Sequence, residues 1–350
     1  MAGKVRWGVL GSGGIARRRT IPEGIAAAAS AELTAVFDID AAVNADVAKQ
    51  FGARACGGQA ELLAGTDVDA VYVATPANLH HDQALAAAAA GKHVFCEKPL
   101  GLTAGEGRQM IHACDEAGVK LGVGFMMRFH AAHREALRLI REGKLGTPVL
   151  GRAQLSCWYP PIEGAWRQDP QAGGGGALMD MGGHCIDLLE MFFGPVRRAC
   201  CRVGNLVHDY ASEDAATALL EFESGAQGVV DAFFCVPDAA SRNRLEIYGS
   251  RGSILAEGTI GQGPGGTMVA YLEEAAGDYD ARQARAEGGG AVIAPRPVNT
   301  YRAEIEDFSR AILEDRPPAN HAGLGLRSAL VLAACYESAR TGRAVEVARP

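Results

Sequence analysis

The sequence predicts an α/β chain in two parts. Residues 1–124 read as a doubly wound parallel sheet, and residues 125–350 as an α+β domain on an open, largely antiparallel sheet. Three observations carry this. Short continuous apolar runs alternate with single helical segments through the first third. A glycine cluster sits at the first strand–helix junction. After Gly124 the strand-like runs follow one another with only short turns between them. A length of 350 residues suits two domains, each with its own core.

In order, strand-like runs fall at 5–10, 33–37, 70–74, 93–97 and 119–123. Between them a helix at 41–51 ends at Gly52, and one at 79–90 ends at Gly91. Thr103-Ala104-Gly105-Glu106 has capping-box spacing and opens a segment that Gly118 stops. In the second part a helix is expected at 129–142 and a long strand at 149–158. The glycine run 173–176 precedes a helix at 177–193. Strands follow at 215–222, 228–234, 244–248 and 253–256. Residues 258–266 are a loop or hairpin arm, and 288–290 plain loop. Closing helices at 301–314 and 324–340 are split by Pro317-Pro318.

Composition narrows the function classes. The net charge is −7 with no long basic stripe, which argues against nucleic acid or an anionic membrane as main partner. No apolar stretch approaches the roughly 18 residues of a membrane span, and no signal-peptide pattern is present, so a cytoplasmic setting is expected. Nine cysteines without a C-x-x-C pair read as reduced, buried thiols. Glycine is 45 of 350 residues, well above the usual share of about 7 %.

Gly11-Ser12-Gly13-Gly14-Ile15-Ala16 follows the first strand and opens a helix. This is the Rossmann dinucleotide fingerprint. Gly11 permits the tight turn, and Gly13 lets main-chain N–H groups approach a pyrophosphate. Ala16 allows close helix–strand packing. Asp38 ends the second strand, where a carboxylate accepts hydrogen bonds from the ribose hydroxyls and repels a 2′-phosphate. NAD is therefore expected in preference. NADP is the alternative, through one of Arg17, Arg18 and Arg19; the bland reading of Asp38 is a turn cap. Two further motifs follow strands at their carboxyl ends, where such sheets bind ligands: Thr75-Pro76-Ala77-Asn78-Leu79-His80 and Glu97-Lys98-Pro99.

With these pieces in place the chain resembles the Gfo/Idh/MocA oxidoreductases, the family of glucose–fructose oxidoreductase and inositol dehydrogenase. The matching pieces are G-x-G-x-x-A, T-P-x-x-x-H, A-G-K-H-V-x-x-E-K-P-L, Gly124-Phe125, Arg128-Phe129 and the run from Gly174 to His184. The resemblance implies a Rossmann domain, then an α+β domain whose open sheet shelters the substrate. It implies hydride transfer between a nicotinamide cofactor and a sugar or cyclic polyol, with Lys98, Asp180 and His184 catalytic. It also implies a homodimer or homotetramer formed through the outer sheet face. An NAD-dependent glycoside hydrolase and a non-catalytic, NAD-sensing regulator are the alternatives.

The residues support this independently. Lys98 sits where a nicotinamide ring would lie, and partial desolvation there should lower its pKa. The Lys98–Pro99 peptide is a candidate for cis. Asp180, His184 and Asp187 fall at i, i+4 and i+7 on one helix stripe. His184 would move the hydroxyl proton, with Asp180 holding its imidazole or the substrate. A metal pair is the second reading, but no third ligand lies near in sequence and no metal is expected. Asp187 is read as structural. Gly182 and Gly183 weaken the helix, which suggests that cofactor or substrate approaches that face; the glycine run 173–176 reads as the cleft floor. The expected cofactor contacts are Gly11, Ser12, Gly13, Gly14, Ile15, Asp38, Thr75, Pro76, Asn78, His80, Glu97 and Lys98. Substrate contacts are Lys98, Arg128, Trp166, Arg167, Asp180 and His184. His130 and His133 read as helix surface.

Overall fold

The computed structural model describes residues 3–273, 281 and 289–350; Gly288 of the expected 288–290 loop lies outside these. The first sheet comprises β1 (Val5–Leu10), β2 (Ala31–Phe37), β3 (Arg54–Ala55), β4 (Ala70–Val73), β5 (His93–Cys96) and β6 (Leu121–Val123). All pairs are parallel in the order β3-β2-β1-β4-β5-β6. The order reverses between β1 and β4, so a crevice opens there above the strand ends. Apart from Arg6, the residues of β1 and β4 are buried on both faces because helices cover the sheet on each side. The helix Ala41–Phe51 is capped by Asp40, whose Oδ1 accepts from the N–H groups of Ala42 and Val43 at 2.9 and 3.1 Å. Thr103 caps Ala104–Glu116, while Glu106 reaches back to the Leu102 N–H at 2.7 Å.

The helix after the glycine loop, Ala16–Ile25, winds in the wider π register and contains Pro22. At Gly24 an added Cβ would lie 3.1–3.2 Å from Ile305 and the Tyr301 carbonyl. That gap admits the helix Thr300–Leu313, which packs on the first sheet although it lies far along the chain. Phe308 meets Trp7 and Phe95 at centroid distances of 5.7 and 5.1 Å, and the Trp7 indole donates to Ser309 Oγ at 3.2 Å.

The second sheet has nine strands: β7 (Pro148–Ser156), β8 (Val196–Gly204), β9 (Ala215–Phe222), β10 (Gln227–Phe233), β11 (Arg244–Gly249), β12 (Gly252–Glu257), β13 (Thr267–Leu272), β14 (Ala291–Val292) and β15 (Val345–Glu346). Their order is β14-β13-β12-β11-β7-β10-β9-β8-β15. Only β7 and β10 pair in parallel; the rest are antiparallel. Strands β3, β8, β13, β14 and β15 escape the sequence reading, three of them being only two residues long. The helices Gly183–Phe193 and Ala322–Thr341 cover one face of this sheet. Gly151 in β7 makes room for them: a Cβ there would fall 2.3 Å from the Phe193 ring. Among the described residues no helix is long and apolar enough to cross a membrane.

Candidate active site

The two sheets meet around a cavity of about 390 Å³. Gly14, Ile15, Thr75, His80, Glu97 and Lys98 reach it from the first sheet. Trp166, Arg167, Asp180 and His184 reach it from the second part. The fold thus brings most of the expected residues into one place.

The helix N-terminus after β1 fits a dinucleotide phosphate. Gly11 has φ of 81°, and a Cβ on it would strike the Ala74–Thr75 main chain at 2.9 Å. Gly14 has φ of 47° with open space where a side chain would stand. The first turn has no side-chain cap, so its N–H groups remain as anion donors. Asp38 Oδ2 accepts the Gly13 N–H at 2.7 Å, and its Oδ1 accepts the Asp40 N–H at 3.0 Å. The carboxylate therefore shapes the loop, and it does not line the cavity. Ser12 departs from expectation. Its N–H and that of Gly11 go to the Phe37 carbonyl, and its side chain is fully buried, so it supports the turn from within. Pro76 and Asn78 do not line the cavity, and Asn78 is exposed. His80 lines it, yet its ring nitrogens lie 2.7 Å from the Pro99 carbonyl and 3.0 Å from the Thr75 carbonyl. It ties the two motif loops together.

Lys98 follows β5, and its peptide to Pro99 is cis. Its Nζ donates to Asp180 Oδ1 at 2.6 Å and to the Asp180 carbonyl at 2.8 Å. Arg167 Nε donates to the same Oδ1 at 3.0 Å and stacks over Trp166 at 4.2 Å. Burial would raise the Asp180 carboxyl, but Arg167 and Lys98 outweigh it and hold it well below the usual carboxylate range. Asp180 thus anchors two cations, and no hydrogen bond joins it to His184. The His184 ring is buried in the cavity wall, edge-on to Phe125, with Nδ1 unpartnered among the described residues. Burial, reinforced by Lys98, pushes its pKa down to about 3, so the ring is neutral. Beside Lys98, burial raises the Glu97 carboxyl, which accepts a hydrogen bond from the Tyr72 hydroxyl.

Residues 178–182 of the Asp180 helix are π-wound before the α-helix Gly183–Phe193 begins. Glu213 caps this helix: its carbonyl accepts the Ala177 N–H and its Oε1 the Leu178 N–H, both at 3.0 Å.

Comparison with known proteins agrees with this two-part fold. Residues 5–125 match the model of an oxidoreductase family with an NAD-binding Rossmann fold, and residues 133–255 match a GFO/IDH/MocA C-terminal domain. The 1,5-anhydro-D-fructose reductase of Ensifer adhaerens is 31 % identical over 345 residues, 98 % of each chain. A D-xylose 1-dehydrogenase (NADP(+)) of Haloferax volcanii is 31 % identical over 344 residues, covering 97 % of this chain and 99 % of its own. The aldose-aldose oxidoreductase of Caulobacter crescentus, solved with glycerol, superposes with a TM-score of 0.85 at 28 % identity, over 98 % of this chain and 99 % of that one. The chain belongs to the GFO/IDH/MocA oxidoreductase family.

Within this family member several expected contacts move. Arg128 is not in the cavity. Its Nε lies 2.8 Å from both carboxylate oxygens of Asp187, and it faces a separate groove of about 810 Å³ shared with Glu190 and Arg327. Asp187 is buried and structural as read, with its pKa pushed up to about 6 by burial against the pull of Arg128. The glycine run 173–176 does not floor the cleft. A Cβ on Gly176 would lie 1.9 Å from the Glu213 carbonyl, and one on Gly175 1.9 Å from the Tyr336 hydroxyl. Gly182 and Gly183 face Leu178, Leu332 and Ser328, so protein rather than ligand approaches them.

Sequence reasoning also missed one wall. Loop 258–266 joins β12 to β13 and brings Gly261 and Gln262 to the cavity, where Arg19 donates to the Gln262 carbonyl. His130 and His133 are buried rather than on the surface, and they fasten this loop. His130 Nε2 lies 3.1 Å from the Gly265 carbonyl and His133 Nε2 3.1 Å from Thr259 Oγ1. Ser156, Asp238, Asn243 and Tyr301 also line the cavity. None of the four stands in a local motif that could have flagged it.

Proposed function

We propose that the protein interconverts a hydroxyl and a carbonyl on a sugar or cyclic polyol, with NAD preferred. The observation that carries this is the Lys98–Asp180–Arg167 cluster facing His184 across one cavity at the glycine-loop end of the first sheet. When bound, the nicotinamide supplies hydride acceptance or donation at C4. In the oxidation direction the Lys98 Nζ, held by Asp180, hydrogen-bonds the reacting oxygen, polarising it as the ammonium and taking the hydroxyl proton as the neutral amine. Neutral His184 is the second group able to take that proton. Arg167 fixes the Asp180 carboxylate in turn, and Met126, Met127 and Met181 keep the reacting carbon from bulk water.

The NAD assignment rests on Asp38 and on the state of the arginine triplet. Arg17 lies 3.7 Å from Asp46, Arg18 donates to the Gly14 carbonyl, and Arg19 pairs with Glu23. Each has an intramolecular partner, which opposes recruitment to a 2′-phosphate. The xylose-dehydrogenase relative is named for NADP(+), so this chain would differ from it there. A cytoplasmic setting, supported by nine free thiols, belongs to the same reading. So does a homodimer or homotetramer on the outer face of the nine-stranded sheet, where Leu219 is 57 % exposed.

The test is an NAD- and NADP-linked screen over sugars, inositols and anhydro-sugars in both directions. Net NADH accumulation on a free sugar supports the reading. Aglycone release without net NADH indicates the glycoside hydrolase. NADH binding with no turnover on the whole panel indicates a regulator.

A further inference from the structure

The cavity has a second polar end that no motif announces. Asn243 stands just before β11 with φ of 45°, left-handed backbone that residues other than glycine seldom adopt and that asparagine tolerates best. Its side chain is locked. The Ser156 N–H donates to Asn243 Oδ1 at 3.0 Å, and the Ser241 hydroxyl donates to the same oxygen at 2.6 Å. A main-chain N–H can only donate, so the oxygen end of the amide is fixed and Nδ2 is its free end. Beside it Ser156 is 3 % exposed, lines the cavity, and carries an Oγ with no partner among the described residues. A buried hydroxyl without a partner at a cavity wall calls for one. Asp238 stands at the rim, accepting from the Trp158 N–H at 3.2 Å and adding negative charge. Met126, Met127, Leu155 and Met181 supply the apolar lining of the same cavity.

We infer that Asn243 Nδ2 and Ser156 Oγ form a specificity subsite for a substrate hydroxyl remote from the reacting carbon. This rests on the sugar or polyol reading above and sharpens it. Two preset hydrogen-bonding groups suit a hydroxyl oxygen, and the Asp238 carboxylate disfavours a carboxylate or phosphate at that end. The substrate is thus a neutral molecule with hydroxyls toward both ends of the cavity, not a sugar acid or sugar phosphate.

Asn243→Asp tests this. Aspartate tolerates the same backbone and keeps the acceptor oxygen for Ser156 and Ser241; it loses the donor and gains a negative charge, and Ser156→Ala, which adds no charge, controls for that gain. Wild type, N243D and S156A are assayed with NAD on D-glucose, D-xylose and myo-inositol, and on D-glucuronate and glucose 6-phosphate as charged probes. NADH affinity is measured by fluorescence alongside. The inference expects KM for the best neutral probe to rise at least tenfold in N243D and at least threefold in S156A. In both, kcat should fall less than threefold and NADH affinity should hold. It also expects wild type to favour the neutral probes. Unchanged KM in both variants, or a wild-type preference for the charged probes, overturns the subsite while leaving the oxidoreductase reading intact. Absence of wild-type turnover on every probe, with NADH still bound, overturns both. A parallel loss of kcat and NADH affinity in N243D and S156A assigns these residues to the fold and also overturns it.

Discussion

Lys98 Nζ and Asp180 Oδ1 lie 2.6 Å apart, although one follows a strand of the first sheet and the other rides a helix on the second. Both side chains are largely withdrawn from solvent, at 11 % and 20 % exposure. The pair proposed as catalytic is therefore made by the docking of the two halves. Removing one partner strands a buried charge, which is costly both to the site and to the contact between the sheets.

Asp180→Asn tests this directly. The amide keeps the shape but loses the charge that holds both Lys98 and Arg167. Turnover should fall by about 10²–10⁴-fold, the range typical of losing a positioned proton-transfer system. NADH binding, followed by fluorescence, should change less than threefold because the glycine loop is untouched. A variant that keeps more than half of wild-type turnover would remove Asp180 from the mechanism.

Buried histidines set a pH signature. Burial pushes His133 down to about 3, with His130 adding to it, and pushes His184 to the same value. An unfolded histidine titrates near about 6.5. Between these values the unfolded chain binds more protons, so each ring contributes stability that is lost as pH falls from about 6.5 toward 3. Glu97, Glu304 and Asp187, whose carboxyls burial raises, act in the opposite sense. The measurement is therefore a difference. Urea unfolding of wild type and His133→Gln should show a stability gap that narrows from pH 7 to pH 5 with a slope near one proton. A gap independent of pH would mean that His133 is not held neutral. The kcat/KM profile should likewise lack a histidine limb near about 6.5, since His184 is neutral throughout.

The sequence was informative wherever the decisive interaction is local. The cap at Thr103, glycine stops at Gly52, Gly91 and Gly118, and the loop after β1 depend on neighbours within a few positions. Lys98, Asp180 and His184 each sit in a motif that marks a strand end or a helix face, and the fold brings all three to one cavity. Arg128 and Asp187 show the limit. Each is a polar residue near the right place, and only the packed structure reveals that they neutralise one another. Asn243 shows it again, since its amide oxygen is fixed by Ser156, 87 positions away in the chain.

Cofactor choice can be moved at two points. Asp38→Ala removes the carboxylate that would repel a 2′-phosphate. Asp46→Ala frees Arg17, now 3.7 Å from it. The double variant should shift the NADP/NAD ratio of kcat/KM upward by at least tenfold, equivalent to about 1.4 kcal/mol. Asp38→Ala alone should do less, and should also lower thermal stability slightly, because the Gly13 N–H loses its acceptor. An unchanged ratio in the double variant would refute the NAD assignment.

The glycines of the Asp180 helix offer a sharper contrast, because their neighbours differ in kind. At Gly176 an added methyl would fall 1.9 Å from the Glu213 carbonyl, a main-chain atom that also accepts the Ala177 N–H. Neither can yield without uncapping the helix that carries Asp180. Gly176→Ala should therefore destabilise the fold by about 2 kcal/mol or more, seen as a lower Tm or insoluble protein. At Gly183 the nearest atoms are the Leu332 and Ser328 side chains at 3.6 and 3.7 Å, ordinary contact distances. Gly183→Ala should be neutral or stabilising by up to about 1 kcal/mol, since alanine favours the helix. It should also leave KM unchanged, because nothing but protein approaches that face. A large rise in KM for sugar or NAD in Gly183→Ala would show instead that a ligand reaches the helix there.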